Sequence, residues 1–222
     1  MEKRKPKSSA SGANVKSRVK EFYREFLLTE GKRPSSVFVF CKQIGIKEAA
    51  FYKIFTSFES IEKTIWSEQI ESVISRLSKD ENYTSFSARE KILTFYFALF
   101  ESFKADRSFL TFQLKSWKNP SIPSFLKQFN LVFAEWSKGV IEEGIQSGEI
   151  AKRPYFNQYY YQLLWMHFLF VLKFWSHDES ADFEKTDVAI EKSVTLAFDL
   201  IGKGVLDNAI DFGKFLYQTA RN

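Results

Sequence analysis

Cysteine, histidine, glycine and proline are all scarce in this chain of 222 residues. The single cysteine, Cys41, excludes an internal disulfide, and two histidines ten positions apart argue against a histidine-built metal site. With 9 glycines and 5 prolines, the chain has few residues for the turns of a many-stranded sheet. We therefore expect an all-α, cytoplasmic protein with no metal and no cofactor.

Long apolar runs are missing as well. The most apolar stretch, 163–172, covers ten residues, whereas a bilayer-spanning helix needs roughly 20. The basic N-terminus has no apolar core of the kind that a signal peptide carries. We expect a helix buried on several sides at 163–172 and no membrane partner.

Aromatic residues are frequent instead: the chain has 25 Phe, 9 Tyr and 5 Trp. Each ring offers a large apolar surface with few rotatable bonds. Many of them lie between 95 and 175, on more than one face of the predicted helices. They either form a ring-lined core, which is the usual role of buried aromatics, or line a ligand cavity.

Positive charge is concentrated near the N-terminus. Residues 1–66 hold 14 Lys and Arg against 7 Asp and Glu, whereas the other 156 residues hold 18 against 20. Residues 1–14 combine Lys3, Arg4 and Lys5 with serines and a glycine, which predicts a flexible basic arm. Such an arm neutralises phosphates without reading sequence. The alternative is a solvated tail.

Apolar residues recur at the three- and four-residue spacing of a helix face along the rest of the chain. The pattern predicts about nine to ten helices, with a polar loop at 78–85. The first begins at Val15 and ends at Gly31, and the next two are short and meet at Gly45. The later helices are predicted at 58–77, 88–105, 107–117, 121–147, 155–176, 182–203 and 205–219.

Two short helices around a glycine turn, preceded by another helix and a basic arm, are typical of a helix-turn-helix, whose second short helix enters the DNA major groove. The stretch from 31 to 61 resembles, without a gap, the TetR family of bacterial transcriptional regulators. The resemblance rests on Gly31, Ser35, Ser36 and Val37 at its opening, Gly45 and Ile46 at the turn, Phe51, Tyr52 and Phe55 at the end of the recognition helix, and Ser57, Glu59 and Ile61 in the next helix.

The resemblance implies a domain organisation and a DNA partner. Residues 1–14 form the arm, 15–57 the helix-turn-helix domain, and 58–222 a helical domain for ligand binding and dimerisation. The partner is double-stranded DNA with a palindromic operator. The candidate DNA contacts are Ser36, Lys47, Ala49, Ala50, Tyr52 and Lys53, together with Lys3, Arg4, Lys5, Lys16 and Arg18.

Three positions depart from the family pattern. Lys47 stands where the family has a Ser or Thr that caps the recognition helix, and a lysine cannot accept the backbone N–H bond. Glu48 adds a negative charge, and Phe58 replaces a lysine that the resemblance places at a phosphate. These departures support a second hypothesis: a non-enzymatic carrier of hydrophobic molecules or a partner-binding protein, as in the lipid-binding quinone-biosynthesis relatives of the fold.

The resemblance also implies a ligand cavity in the second domain and a homodimer formed by helices 155–176 and 182–203 as a four-helix bundle. Each aromatic candidate for the cavity could instead pack in the core, and His167 could instead be a hydrogen-bonded core histidine. The ligand candidates are Tyr96, Phe100, Trp117, Phe133, Tyr161, Trp165 and His167, and the dimer candidates are Val194, Ala197, Phe198 and Ile201.

The sequence carries no recognisable catalytic motif: a Gly-rich phosphate loop and a nucleophile elbow are both missing. We therefore predict a non-enzymatic, homodimeric DNA-binding repressor that a small hydrophobic or aromatic ligand releases from its operator.

Overall fold

The computed structural model of the protein describes residues 9–117, 121–153, 156–202, 204, 212–213 and 215–219. These residues are mostly helical and contain no strand, which confirms the all-α prediction. In the same part of the chain, no helix is long and apolar enough to cross a membrane. The α-helices are α1 (Ser9–Glu30), α2 (Val37–Ile44), α3 (Glu48–Tyr52), α4 (Phe58–Leu77), α5 (Glu81–Ser85), α6 (Ala88–Ala105), α7 (Arg107–Lys115), α8 (Lys127–Ser147), α9 (Tyr160–Ser176) and α10 (Glu184–Ile201).

Short 3-10 helices lead directly into the last three of these elements. They are Ser124–Leu126 before α8, Asn157–Tyr159 before α9 and Ala181–Phe183 before α10. Residues 212–213 and 215–219 are also helical.

The helices differ from the prediction in several places. α8 begins at Lys127 rather than 121 and α9 at Tyr160 rather than 155, each after a short 3-10 helix. α1 begins at Ser9 rather than Val15, so residues 9–14, assigned to the basic arm, are helical. Residues 9–14 carry no apolar stripe, so the spacing of apolar residues could not predict this first part of the helix. α5 lies in the predicted loop because Asp80 caps it, accepting a hydrogen bond from the Asn82 backbone N–H at 2.9 Å, and because Tyr83 is buried. One buried ring gives no periodic pattern.

The chain divides into two compact units. The first unit comprises residues 1–68 and 106–129, and the second unit comprises 69–105 and 130–222. The first unit includes the whole predicted helix-turn-helix segment together with α7. The division falls inside α4, whereas the predicted boundary at 57/58 assigns all of α4 to the second domain.

Phe40 lies at the centre of the core of the first unit. Its fully buried ring contacts the rings of Phe22, Tyr23, Phe51 and Phe58 at centroid distances of 5.3–6.1 Å. Aromatic pairs with tilted or edge-to-face geometry restrict the angles at which their helices pack. α1, α2, α3 and the first turn of α4 are therefore held around one ring.

Aromatic rings also build the core of the second unit. Phe133 on α8 and Trp165 and Phe168 on α9 contact one another at centroid distances of 5.3–5.4 Å. Phe95 and Tyr96 on α6 extend the cluster at 6.0 and 6.1 Å. All five side chains are buried. The composition had predicted a ring-lined interior of this kind.

Candidate functional site

The connection between α2 and α3 has the geometry of a helix-turn-helix. Ser36 caps α2, since its Oγ accepts a hydrogen bond from the Val39 backbone N–H at 3.2 Å. Gly45 ends α2 with φ at 72°, a left-handed conformation that favours glycine. The Ile46 N–H then donates to the Cys41 carbonyl at 3.0 Å and closes the turn.

Arg18, one of the predicted DNA contacts, braces this turn. Its Nη2 donates a hydrogen bond to the carbonyl of Ile44, the last residue of α2. A cation at this end of a helix satisfies an otherwise unpaired carbonyl and interacts favourably with the helix dipole. Arg18 therefore fixes the position of α2 against α1, while its side chain remains exposed.

Lys16, another predicted DNA contact, forms an ion pair inside the first unit. Its Nζ lies 2.9 Å from Oε1 of Glu68 on α4, and Lys20 contacts the other carboxylate oxygen. Burial disfavours the charged form of Glu68, but hydrogen bonds from the two lysines hold its pKa below the ordinary value. Lys16 thus already has a carboxylate partner.

α3, the candidate recognition helix, is anchored by the buried ring of Phe51. Lys47 occupies its N-cap without a side-chain hydrogen bond, as the sequence predicted, and the Lys47 carbonyl accepts from the Ala50 N–H at 2.8 Å. Ala50 is half-buried, and Tyr52 is 53% exposed. The exposed residues of this recognition surface are Lys47, Glu48, Ala49, Tyr52 and Lys53.

Phe58 belongs to the ring cluster of the first unit rather than to a charged surface. Its ring stacks on Tyr23 at 5.5 Å and 10°, and contacts Phe40 and Phe51 edge-on at 5.3 and 6.2 Å. The resemblance implies a phosphate-binding lysine at this position. Phe58 therefore packs in the core and offers no positive charge for a phosphate.

A buried ionic network in the first unit was not predicted from the sequence. The Glu62 carboxylate, on α4, accepts hydrogen bonds from Tyr23 Oη at 2.6 Å and from Arg33 Nε and Nη2 at 2.9 and 2.5 Å. Burial, together with the Glu62 charge, raises the pKa of Tyr23, and the hydrogen bond to Glu62 raises that of Arg33. The network attaches the loop before α2 to α4. Its only sequence signal is a glutamate next to the apolar stripe of α4.

Four of the predicted ligand residues lie in the ring core of the second unit. Tyr96, Phe100, Phe133 and Trp165 are all buried, and each has its ring against that of Phe168 at 5.3–6.1 Å. Their arrangement corresponds to the core-packing alternative.

The other predicted ligand residues have separate surroundings. Tyr161 is half-buried on α9, with the Lys138 ammonium 4.6 Å from its ring centroid. Trp117 belongs to the first unit, where its Nε1 donates to the Ser121 carbonyl at 3.1 Å.

His167 connects three helices of the second unit. Its Nδ1 lies 3.0 Å from Tyr96 Oη on α6, and its Nε2 lies 2.8 Å from Ser193 Oγ on α10. Burial lowers the pKa of His167 to about 4, so the ring is neutral at pH 7, and burial also raises the pKa of Tyr96. His167 is a hydrogen-bonded core histidine, the alternative given above.

An apolar pocket of about 260 Å³ lies among α6, α8, α9 and α10. Two of its lining residues, His167 and Tyr160, carry polar groups that already have partners. Both ring nitrogens of His167 are within hydrogen-bond distance of hydroxyls. The Tyr160 hydroxyl donates to the Ala151 carbonyl at 3.0 Å. The pocket therefore suits an uncharged hydrophobic ligand. It is lined by Ile92, Ile141, Tyr160, Leu163, Leu164, His167, Ala197, Leu200 and Ile201.

Two of the predicted dimer residues face the core of their own unit. Val194 and Phe198 are only 1% and 6% exposed, so a partner chain has no access to them. The predicted interface role of these two residues is therefore corrected. Residues 190, 194 and 198, spaced four apart on α10, form the face of the helix that is buried in its own unit. The other two, Ala197 and Ile201, are half-buried and line the apolar pocket.

A different face of α9 and α10 is apolar and exposed. Phe174 and Val188 line one surface groove, and Leu163 and Leu200 line the apolar pocket. α9 is thus buried on one side only, not on several as predicted. This apolar strip consists of Leu163, Met166, Phe170, Phe174, Val188, Leu196 and Leu200, which are 38–65% exposed.

Some predicted features cannot be placed. Lys3, Arg4 and Lys5 lie outside the described residues.

Within the described ranges, no group of His, Cys, Asp and Glu side chains is arranged to hold a metal ion.

The fold is shared with solved bacterial regulators. A structure from Syntrophomonas wolfei, assigned to the TetR family of transcriptional regulators, has a TM-score of 0.68 at 19% identity over 87% of this chain and 98% of its own. A TetR-family regulatory protein from Rhodococcus RHA1 gives 0.52 at 15% identity over 86% and 98%. A transcriptional regulator from Cytophaga hutchinsonii gives 0.54 at 16% over 84% and 98%. At such identities these likenesses show the fold alone.

Sequence comparison gives the family itself. No curated protein matches the chain significantly. The family model described as "Tetracyclin repressor-like, C-terminal domain" matches residues 91–216, which is more than half of the chain and includes the apolar pocket and the apolar strip from Ile92 to Ile201. The chain therefore belongs to the TetR family of bacterial transcriptional regulators.

Proposed function

We propose that this protein is a cytoplasmic, non-enzymatic repressor that binds a palindromic operator as a homodimer and is released by a small hydrophobic ligand. The observation that carries the proposal is the capped turn at Gly45, which presents α3 with Lys47, Ala49 and Lys53 exposed. A short exposed helix with lysines at both ends fits the major groove and the phosphates beside it.

The ligand is proposed to bind in the apolar pocket of the second unit. The pocket replaces the ring-lined cavity predicted from the sequence, since most of those rings pack against one another. Its volume of about 260 Å³ lies just below the roughly 300–1,000 Å³ typical of sites for drug-sized ligands. This favours a compact, uncharged, apolar molecule.

Release is proposed to act through α4, which supplies residues to both units. A ligand that binds better to one position of α4 shifts the population toward that position. In a dimer, such a shift changes the distance between the two recognition helices, which must match the half-site spacing of the operator.

The partner subunit is proposed to contact the apolar strip. Exposed apolar surface of this extent is unusual on a monomer and marks an interaction site. Parallel or antiparallel packing of α9 and α10 with the same helices of a second copy gives a four-helix bundle.

Genomic-fragment selection by the purified protein at two salt concentrations tests the DNA role. The wild type should enrich a palindromic sequence that persists at the higher salt. A Lys47→Ala/Lys53→Ala double variant, which lacks two proposed phosphate contacts, should bind all DNA more weakly and enrich that sequence only at the lower salt. Enrichment of no sequence by the wild type contradicts the proposal.

The uncapped Lys47 and the core position of Phe58 favour one other function, a carrier of hydrophobic molecules. In that case the apolar pocket should still bind an apolar probe, and no operator should be found.

A further inference from the structure

A polar groove of about 600 Å³ lies on the surface of the second unit, between α8 and the beginning of α9. It is separate from the apolar pocket in character, because seven of its nine lining residues have side chains that can form hydrogen bonds. Tyr161, which the sequence suggested as a ligand contact, lies here and not in the ring core. The residues that define the polar groove are Lys138, Glu142, Asn157, Gln158, Tyr161 and Gln162.

The polar groove shares a wall with the apolar pocket. Ile141 on α8 lines both spaces, and its side chain is only 5% exposed. Tyr160 lines the pocket, whereas its neighbours in the chain, Tyr159 and Tyr161, line the groove. The two spaces are therefore adjacent, with the Ile141 side chain between them.

Hydrogen-bonding groups that a ligand could use lie in the groove and not in the pocket. In the pocket, the polar groups of His167 and Tyr160 are already paired. In the groove, Gln162 Nε2 donates to Tyr161 Oη at 3.1 Å, and Asn157 Oδ1 accepts from the Arg153 N–H at 2.7 Å. Each carboxamide has a second polar atom that can pair. Within the described part of the chain, neither Gln162 Oε1 nor Asn157 Nδ2 has a partner, so both can bind a ligand.

The charges of the groove favour a neutral group. Lys138 and Glu142 are exposed, carry opposite charges and lie one helical turn apart on α8. The Lys138 ammonium lies 4.6 Å from the ring centroid of Tyr161, which connects the α8 side of the groove to the α9 side. The other lining residues are uncharged. A ligand group with hydroxyls or amides and no net charge therefore fits this lining.

We propose that the polar groove binds the head group of an uncharged amphiphile whose apolar chain lies in the apolar pocket. The inference rests on the proposed ligand role of the pocket and adds a hydroxyl- or amide-bearing head to that ligand. The pocket alone, at about 260 Å³, is smaller than most ligand sites, and the adjoining groove brings the combined site within the usual roughly 300–1,000 Å³. Apolar burial then provides affinity, and a few hydrogen bonds in the groove provide specificity.

The test compares two probes that have the same octyl chain, octyl β-glucoside and 1-octanol, by isothermal titration calorimetry below the concentrations at which they aggregate. The wild type should bind the glucoside at least about fivefold more tightly, because about two net hydrogen bonds to the head group are expected. A Gln158→Ala/Gln162→Ala double variant should bring the ratio of the two affinities close to one without changing the affinity for 1-octanol. Gln146→Ala removes the same side chain at an exposed position of α8 outside the groove and should behave as the wild type.

A variant of the pocket locates the apolar chain. Ala197 lines the pocket but not the groove, so Ala197→Leu fills the pocket and should weaken the binding of both probes, with circular dichroism confirming the fold. Unchanged binding of both probes by this variant would place the octyl chain elsewhere and overturn the proposal.

The remaining outcomes separate this inference from the proposed function. A wild type that binds both probes equally, or a ratio that the double glutamine variant leaves unchanged, overturns the head-group site and leaves the apolar pocket as the ligand site. Binding of neither probe contradicts the pocket and the groove together. Binding that depends on the head group in a protein for which no operator is found supports this inference and contradicts the DNA role.

Discussion

At the residue scale, several charged side chains of the first unit join one helix to another. Arg18 holds the end of α2, Lys16 pairs with Glu68, and Arg33 reaches the buried Glu62. Residue type and position alone suggested phosphate contacts for the first two. A basic residue near a helix-turn-helix can serve either role, and only the position of its carboxylate or carbonyl partner decides between them.

The buried Glu62 is expected to contribute more to the stability of the first unit than an exposed glutamate does. Glu62→Ala removes the acceptor of three hydrogen bonds and leaves the buried Tyr23 hydroxyl unpaired, which should cost about 2–3 kcal/mol in the free energy of unfolding. Glu59→Ala, on the same helix, breaks a partly exposed pair with Lys63 and should cost less than about 1 kcal/mol. Urea denaturation of both variants measures the difference. Equal effects would mean that the network contributes nothing beyond a surface pair.

The buried His167 predicts a dependence of stability on pH. Its pKa is lowered by burial to about 4 in the folded state, so the unfolded chain binds the additional proton between roughly pH 6.5 and 4. Stability should therefore fall as the pH decreases through that window, by about 1–2 kcal/mol between pH 7.5 and 5.

His167→Gln should remove this part of the pH dependence, whereas His177→Gln, at an exposed position, should leave it unchanged. Chemical denaturation at several pH values provides the measurement. A slope that is identical in wild type and His167→Gln refutes the assignment.

At the scale of single elements, helix positions were predictable from apolar spacing, whereas their packing partners were not. α2, α4 and α6 lie where their apolar stripes predicted them, because the ends of these stripes carry glycine or polar residues. α5 was not predicted because it has a single buried side chain, Tyr83, and therefore no apolar stripe. Val194 and Phe198 were predicted at a dimer interface although they are buried in their own unit. Val194 and Leu196 are equally apolar, so spacing alone does not show which row of α10 faces the subunit's own core.

The packing of α8 predicts opposite effects for two glycines. A Cβ on Gly144 would lie 2.6 Å from Ile150 Cδ1 and 2.9 Å from Ala88 Cβ, so Gly144→Ala forces the neighbours apart and should destabilise by about 1–3 kcal/mol. Gly139, also in α8, has no atom within 4 Å of that position, so Gly139→Ala should stabilise by about 0.5–1 kcal/mol. Thermal denaturation of the two variants distinguishes the signs. Two effects of the same sign would contradict the close approach at Gly144.

The recognition helix predicts graded effects on DNA. Lys47→Ala and Lys53→Ala should each weaken operator binding and reduce the salt slope by about one, because each removes a phosphate contact. Glu48→Lys should strengthen binding to any DNA and steepen the slope by about one. Lys16→Ala should change affinity less, since Lys16 already pairs with Glu68. Fluorescence anisotropy at several salt concentrations gives both quantities, and three unchanged slopes at α3 would favour the carrier function.

At the scale of the whole molecule, the order of helices and the aromatic core were predictable, but the position of the apolar pocket was not. The aromatic residues were the sequence's candidates for a cavity, yet Tyr96, Phe133 and Trp165 pack against Phe168 and leave no space between them. The pocket lies instead among mostly aliphatic side chains. No periodic pattern in the sequence distinguishes these from other apolar residues.

The apolar strip predicts a dimer with a revised interface. Leu196→Arg places a charge in the centre of the strip and should give a folded monomer that loses specific DNA binding, because one subunit contacts only one half-site. Phe198→Arg should instead prevent stable folding, since that side chain is buried. Sedimentation and circular dichroism separate the two outcomes. A dimeric Leu196→Arg protein would show that the partner binds elsewhere.

The ring core of the second unit also gives the protein an optical signature. Phe95 stacks on Trp136 with centroids 3.8 Å apart, and Trp165 stacks on Phe168. Rings locked in an asymmetric array produce near-ultraviolet circular dichroism, which disappears when packing loosens even if helices persist. The three tryptophans of this unit, Trp136, Trp165 and Trp175, are therefore an intrinsic reporter of native packing. A purified sample can be judged correctly folded from its spectrum, before any operator or ligand has been found.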